Sequence, residues 1–248
     1  MNRLFQIAAI VAATFGILGM PAAARADFQL TLTDGTNTAT YSSTAANPNF
    51  VASPLAGVQI GQLAVSSMAF SNSPGGANAI VGASTFTLYN QSASAQTFTI
   101  SVLATGFNSP QSPPPLSLLD TVSGSIGNGT VTGTFQGFAD TSANATAGSG
   151  TAGQLLNFSA SGSSQSFSVS GSADNVFSPD GSTYSLSLVE TVTLSGGAIF
   201  TVTTGNVSAV MPAPSSVLLL LSSLPVLGSV WASRRRKIAA SAQPTASA

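Results

Sequence analysis

Cysteine and histidine are both absent from the 248 residues. Without cysteine there is no disulfide and no thiolate metal site, whatever the redox state around the chain. Without histidine the commonest general base and the commonest transition-metal ligand are missing. Charge is nearly as scarce, since Asp, Glu, Lys and Arg make up 5% of the residues, against about a quarter in an ordinary globular protein. The little charge present is segregated. The cations are Arg3, Arg25, Arg234, Arg235, Arg236 and Lys237, and the acids are Asp27, Asp34, Asp120, Asp140, Asp174, Asp180 and Glu190. From Asp27 to Met211 there are seven acidic side chains and no basic one. That span cannot form a side-chain salt bridge. It has no cation to neutralise phosphates, which excludes nucleic acid as a partner, and anionic headgroups suit it no better. A nucleophilic serine would find neither histidine nor lysine to activate it. No residue pattern calls for a cofactor.

The two ends read as addresses. Arg3 charges a short leading region, and "IAAIVAATFGIL" (Ile7 to Leu18) is an apolar stretch. Pro21 breaks it ahead of Ala24 and Ala26, which occupy the small-residue positions of a signal-peptidase site, so residues 1–26 read as a signal peptide and Asp27 as the first mature residue. Near the other end, Ser215 to Ser233 carries no charge. As a helix at about 1.5 Å per residue it would be about 28 Å long, close to a bilayer core of about 30 Å. Leu218 to Leu221 would cover every side of such a helix, leaving no polar face. Arg234, Arg235, Arg236 and Lys237 follow at once. By the positive-inside rule they stop transfer, mark the cytoplasmic end, and place the preceding chain outside. Residues 238–248 then form a short cytoplasmic tail.

Pro212-Ala213-Pro214, two serines, a leucine-rich span and a terminal arginine cluster, behind a signal peptide, resemble the PEP-CTERM sorting tail of Gram-negative bacteria. The same tail is also labelled an ice-binding-protein C-terminal domain. The resemblance covers residues 210–237 and the leader, not the domain between them. It implies processing by an exosortase, a membrane-embedded cysteine transpeptidase, and an association with exopolysaccharide. Pro212 and Pro214 match the motif's prolines, whereas Ala213 stands where the family has glutamate.

Between the addresses, residues 27–209 alternate apolar and polar side chains with turn residues at intervals. "FQLTLT" (Phe28 to Thr33) precedes Asp34-Gly35, and "STFTLYN" and "AQTFTISVLA" flank a polar connection at Gln91 to Ala95. "GTVTGTFQGF" follows Asn128-Gly129, and "TYSLSLVETVTLSGGAIFTVTT" reads as two strands of a hairpin across Gly196-Gly197. No helical period intervenes. The pattern predicts an all-β, antiparallel sandwich, flanked by the signal helix and one C-terminal transmembrane helix. "FNSPQSPPPLS" (Phe107 to Ser117) must lie outside any sheet, and Asp140 to Gly153 reads as a flexible loop of small residues. The related nonapeptides starting at Phe158 and Phe167 read as neighbouring strands.

Three patterns bear on chemistry. Glu190 shares the phase of Tyr184, Leu186, Leu188, Val192 and Leu194, which would place it on the apolar face. Buried without a cation it would have a raised pKa and could act as a general acid. The reading favoured here is a β-bulge near Val189 that turns it to solvent, or a place on an edge strand. Asp174 and Asp180, with Asn175 and Gly181 beside them, offer oxygen ligands for calcium, although turn chemistry already accounts for them. Threonine recurs at Thr130, Thr132 and Thr134, at Thr191 and Thr193, and at Thr201 and Thr203. Each set would line one strand face with hydroxyls, suited to sugar rings or ordered water. Threonine is also a favoured strand residue.

Taken together these features predict a non-catalytic surface or matrix protein, exported through the inner membrane. It would be either membrane-anchored facing the periplasm or sorted to the cell surface. The alternatives are a carbohydrate-active enzyme using Glu190, or an ice-binding or calcium-dependent adhesion protein.

Overall fold

A computed structural model describes residues 27–43, 57–73, 78–111, 115–142, 144–179 and 181–211. The expected signal peptide with Ala24 and Ala26, the sorting motif at Pro212 to Pro214, the membrane span and the Arg234 to Lys237 cluster lie outside the described residues, as does Asp180. The described chain is built of strands: β1 (Phe28–Thr33), β2 (Thr38–Ser43), β3 (Gln59–Ile60), β4 (Leu63–Ser73), β5 (Asn78–Asn90), β6 (Gln96–Phe107), β7 (Leu116–Asn128), β8 (Thr130–Asp140), β9 (Thr151–Ala152), β10 (Leu156–Ser161), β11 (Gln165–Phe177), β12 (Tyr184–Leu194) and β13 (Ile199–Val210). They form two antiparallel sheets. The first runs β10-β8-β12-β6-β1-β2, with β9 also on β8, and the second runs β11-β7-β13-β5-β4-β3.

The expected all-β sandwich is therefore found, but its connections differ from the expected ones. Gly196-Gly197 does not close a hairpin. β12 pairs with β6 and β8, whereas β13 pairs with β5 and β7 in the other sheet. The nonapeptide strands β10 and β11 likewise belong to opposite sheets. So do β5 and β6, and β7 and β8. Each of these short connections is an arch that carries the chain across the sandwich. Its two strands then turn their apolar faces toward each other rather than to the same side.

Alternation explains the core. β1 buries Phe28, Leu30 and Leu32, β6 buries Phe98, Ile100, Val102 and Ala104, and β12 buries Leu186, Leu188, Val192 and Leu194. One aromatic cluster bridges the sheets near the β10–β11 arch. Phe158 and Phe167 stack at 4.6 Å, and Phe200 lies 6.0 and 5.9 Å from them, with Phe86 edge-on to it at 6.2 Å. Gly133 and Gly124 make this possible, because a methyl group at either position would run into the ring of Phe158 or Phe167 and into a neighbouring backbone carbonyl.

Asn90 locks two arches together. It is fully buried, and its amide nitrogen lies 3.0 Å from the carbonyls of Ser94, Leu194 and Ser195. Its side-chain oxygen accepts the Ser92 N–H, and its own N–H donates to Ala198. Asn90→Ala is expected to lower stability by about 2 kcal/mol, since it strips buried carbonyls of their donor. A shift in urea midpoint at constant slope checks this.

Asp140 to Gly153, expected to be flexible, is tied down. Ser149 donates to Asp140, Gly148 N–H to the Ser187 hydroxyl at 3.1 Å, and Gly153 N–H to the Gly137 carbonyl at 2.8 Å. The loop lies over the outer face of β12, which is why Ser185 and Ser187 are buried there.

Candidate functional site

The outer face of the first sheet brings the threonines into register. On β8 and β12, Thr134 faces Thr191 and Thr132 faces Thr193. Across β12 and β6, Thr191 faces Thr99 and Thr193 faces Thr97. Thr99 in turn faces Thr33 on β1, and Thr33 faces Thr38 on β2, while Asn157 on β10 extends the other end. One row thus reads Asn157, Thr134, Thr191, Thr99, Thr33, Thr38, a hydroxyl or amide from each of six strands, about 24 Å in all at about 4.8 Å per strand. A second, Ser159, Thr132, Thr193, Thr97, lies one pleat away, about 7 Å along the strands.

Side-chain bonds hold these hydroxyls in place: Thr97 with Thr193 at 2.8 Å, Thr33 with Thr38 at 3.0 Å, and Thr99 with Thr191 at 3.5 Å. Every member of the two rows is exposed or half-buried, and none is charged. A hydroxyl that spends one bond on its neighbour still offers a lone pair or a proton to a ligand. The surface therefore presents a regular, neutral array of donors and acceptors. A groove of about 470 Å³ runs between the rows, lined by Thr132, Thr134, Asn157, Phe158, Ser159, Thr191 and Thr193. A larger cleft of about 740 Å³ lies at the end of the same sheet, lined chiefly by hydroxyls, with Asp27 as its one charged residue.

Alternation on single strands revealed the threonine sets at 130–134 and 191–193. Their cross-strand alignment, and the participation of Thr97, Thr99, Thr33 and Thr38, depended on pairings that no local pattern encodes. Thr201 and Thr203 lie elsewhere. They belong to the second sheet, where Thr201 bonds Thr87 at 3.1 Å and Thr203 bonds Ser123 at 3.0 Å.

Glu190 is not on this face. The strict pleat holds, because Glu190 pairs with Ile100 and Phe135 without interruption and the nearby register shift falls between Tyr184 and Leu186 instead. Neither the expected bulge near Val189 nor an edge position occurs. The side chain is fully buried, and neither carboxylate oxygen has a hydrogen-bond partner. Burial alone pushes its pKa up to about 8. Glu190 lines neither of the clefts just described, so a substrate held in either would not meet it.

A second buried carboxylate, Asp120, escaped the sequence reading. It keeps the phase of Leu116, Leu118, Val122 and Ile126 on β7, the same signal that singled out Glu190. Its role is structural. The register of β8 shifts by one residue between β9 and β10, leaving the Gly137 N–H without a strand partner on that side. Asp120 reaches across from the second sheet and accepts that N–H at 3.0 Å. Gly137 and Gly153 leave room for it, as a methyl group on either would collide with the carboxylate. Burial raises Asp120 to about 6, against the pull of the Gly137 bond.

Asp174, one of the two calcium candidates, is exposed on β11, and among the described residues no three carboxylates gather into a cation site. Asp27, the expected first mature residue, is fixed at the rim of the large cleft by a bond from Thr105 N–H to its carbonyl at 2.9 Å.

No protein-family model matches the chain, and neither does any curated protein. Several solved structures are similar to it, among them these two. One is TmCBM61 in complex with β-1,4-galactotriose, with a TM-score of 0.32 and 9% identity over 64% of this chain and 94% of that one. The other is the enzymatically active domain of bacteriophage CBA120 tailspike protein 4, with a TM-score of 0.31 and 14% identity over 64% of this chain and 21% of that one.

Proposed function

We propose that this is an exported, non-catalytic surface or extracellular-matrix protein that holds neutral polysaccharide on the threonine rows of its first sheet. The registered, charge-free hydroxyl array carries this reading. A neutral sugar polymer presents repeated hydroxyls that can exchange bonds with such an array, and it meets no repulsion from a domain whose side-chain charges are all acidic. The leader and the basic-ended apolar tail, both read from the sequence, supply the route: export, then membrane retention or sorting by an exosortase-type transpeptidase.

The test replaces Thr191 and Thr193 together with valine, which keeps the branched shape and removes the hydroxyls. Each lost bond is worth about 1 kcal/mol, so retention on an insoluble neutral polysaccharide should weaken by about tenfold or more. Binding that is unchanged by the double substitution, or absent in the parent, overturns the proposal. The same rows could order water. An ice-recrystallisation assay run in parallel, positive while sugar retention is absent, would favour that second reading.

A further inference from the structure

We propose that the free edge of β11 pairs, strand to strand, with β11 of a second copy of this chain. β11 ends its sheet and bonds only to β7, so the other side of its backbone meets no strand among the described residues. It is one of the longest strands in the fold, at 13 residues. Its register with β7 runs unbroken from Gln165 to Ala173 and shifts only beyond that point. Those nine residues contain no charge and no proline.

Natural sheets guard such edges with lysines, prolines, bulges or very short strands. The other edges among the described residues are short or broken. β3 and β9 are 2 residues long, β2 and β10 have 6 each, and β4, which runs on past β3, shifts register between Val65 and Ser67 and again between Ala69 and Phe70. Among the described strands β11 is the one edge that is both long and regular.

The occupant follows from what the edge offers. Alternating N–H and C=O groups at strand spacing, otherwise left to water, are matched in register along their whole length by another extended backbone. Charge then selects among candidate strands. Every side-chain charge between Asp27 and Met211 is negative, so two copies repel each other wherever acids approach, and Gln165 to Ala173 is a stretch where they do not. The segment is also self-complementary. Ser166, Ser168, Ser170 and Ser172 point outward and are exposed, while Phe167 and Val169 pack against the core. Antiparallel pairing about a two-fold axis would set serine against serine and core against core, joining two six-stranded sheets into one.

The natural absence of cysteine makes the test clean. Full-length chains carrying Ser166→Cys, Ser168→Cys, Ser170→Cys or Ser172→Cys are co-expressed in every pairwise combination under two tags and oxidised. A disulfide needs Cα atoms about 4.4–6.8 Å apart, which only directly opposed residues meet. The expected result is cross-linked dimer in those combinations whose two residue numbers add to one constant, the signature of antiparallel pairing. No dimer in any combination overturns the proposal. So does a constant difference instead of a constant sum, or cross-linking as strong at a Thr132→Cys control on the other sheet. Adding Ser168→Lys and Ser170→Lys outside the cross-linked positions should abolish the dimer, and a dimer that survives both lysines also overturns it.

Discussion

Replacing Glu190 with leucine should raise stability, and the gain should grow as the pH rises from 4.5 to about 8. The folded-state pKa lies above the ordinary value of 4.5, so across this window the native state holds a proton that the unfolded chain has released. Glu190 therefore costs nothing below 4.5, and its penalty on native stability grows as the pH climbs through the window. A displacement of that size corresponds to about 5 kcal/mol at its upper end, comparable with the whole stability of a small domain. No cation can relieve it. The strands packed against β12 carry none, and the other titratable side chains on them and on β12 are Asp140, Tyr89 and Tyr184.

Asp120 adds a penalty of the same sign at lower pH, between the ordinary carboxylate value and about 6. Asp34 and Asp140 work the other way. The Asn37 backbone N–H on Asp34 and the Ser149 hydroxyl on Asp140 hold those pKa values down, so their contribution is lost as the pH falls through the carboxylate range. Thermal melts of the parent and of Glu190→Leu across this range decide the matter. The parent should lose melting temperature steadily toward alkali, whereas the variant should be flat above pH 6. Parallel profiles would show that Glu190 is not sealed as described.

Phe200→Ala should be the most damaging single truncation, at about 3–5 kcal/mol. The ring is fully buried and touches partners from both sheets, Phe158 on β10 and Phe86, next to it in its own sheet, as well as Phe167 on β11. Because Phe158 and Phe167 rest on Gly133 and Gly124, the stack cannot collapse inward to fill the space. Phe200→Leu should recover much of the loss. Urea unfolding below pH 4.5, where Glu190 is protonated in both states, gives the cleanest reading. A loss under 1 kcal/mol would mean that the cluster repacks.

Strand positions were largely legible, since a strand with one buried face must alternate: Phe28 to Thr33 is a strand to the residue. Partners were not. An arch and a hairpin have the same alternation and the same turn residues, so Gly196-Gly197 suited both, and only the distant pairing of Phe200 with Leu88 and Ile126 distinguishes them. The phase of Glu190 pointed inward, and the preference for a bulge came from the implausibility of burying a carboxylate with no cation. The fold accepts that burial by keeping the proton. Asp120 carried the same phase, but the N–H it satisfies is created by a register shift on a different sheet. The threonine rows were visible one strand at a time, because alignment between strands is a property of pairing and not of sequence.

The order of strands within the sheets has a consequence for how the domain comes into being. β12 and β13 are the last of the described strands but sit in the middle, between β8 and β6 in one sheet and between β7 and β5 in the other. Without them neither sheet is continuous. Each falls into two fragments with ladders exposed on both sides of the gap. A chain emerging N-terminus first, from a ribosome or through a translocation pore, therefore holds only incomplete sheets until Val210 has arrived. Closure then depends on contacts of long sequence separation, which form slowly and leave unpaired strands open to misassembly meanwhile. Folding is thus a late event, gated by the residues nearest the tail.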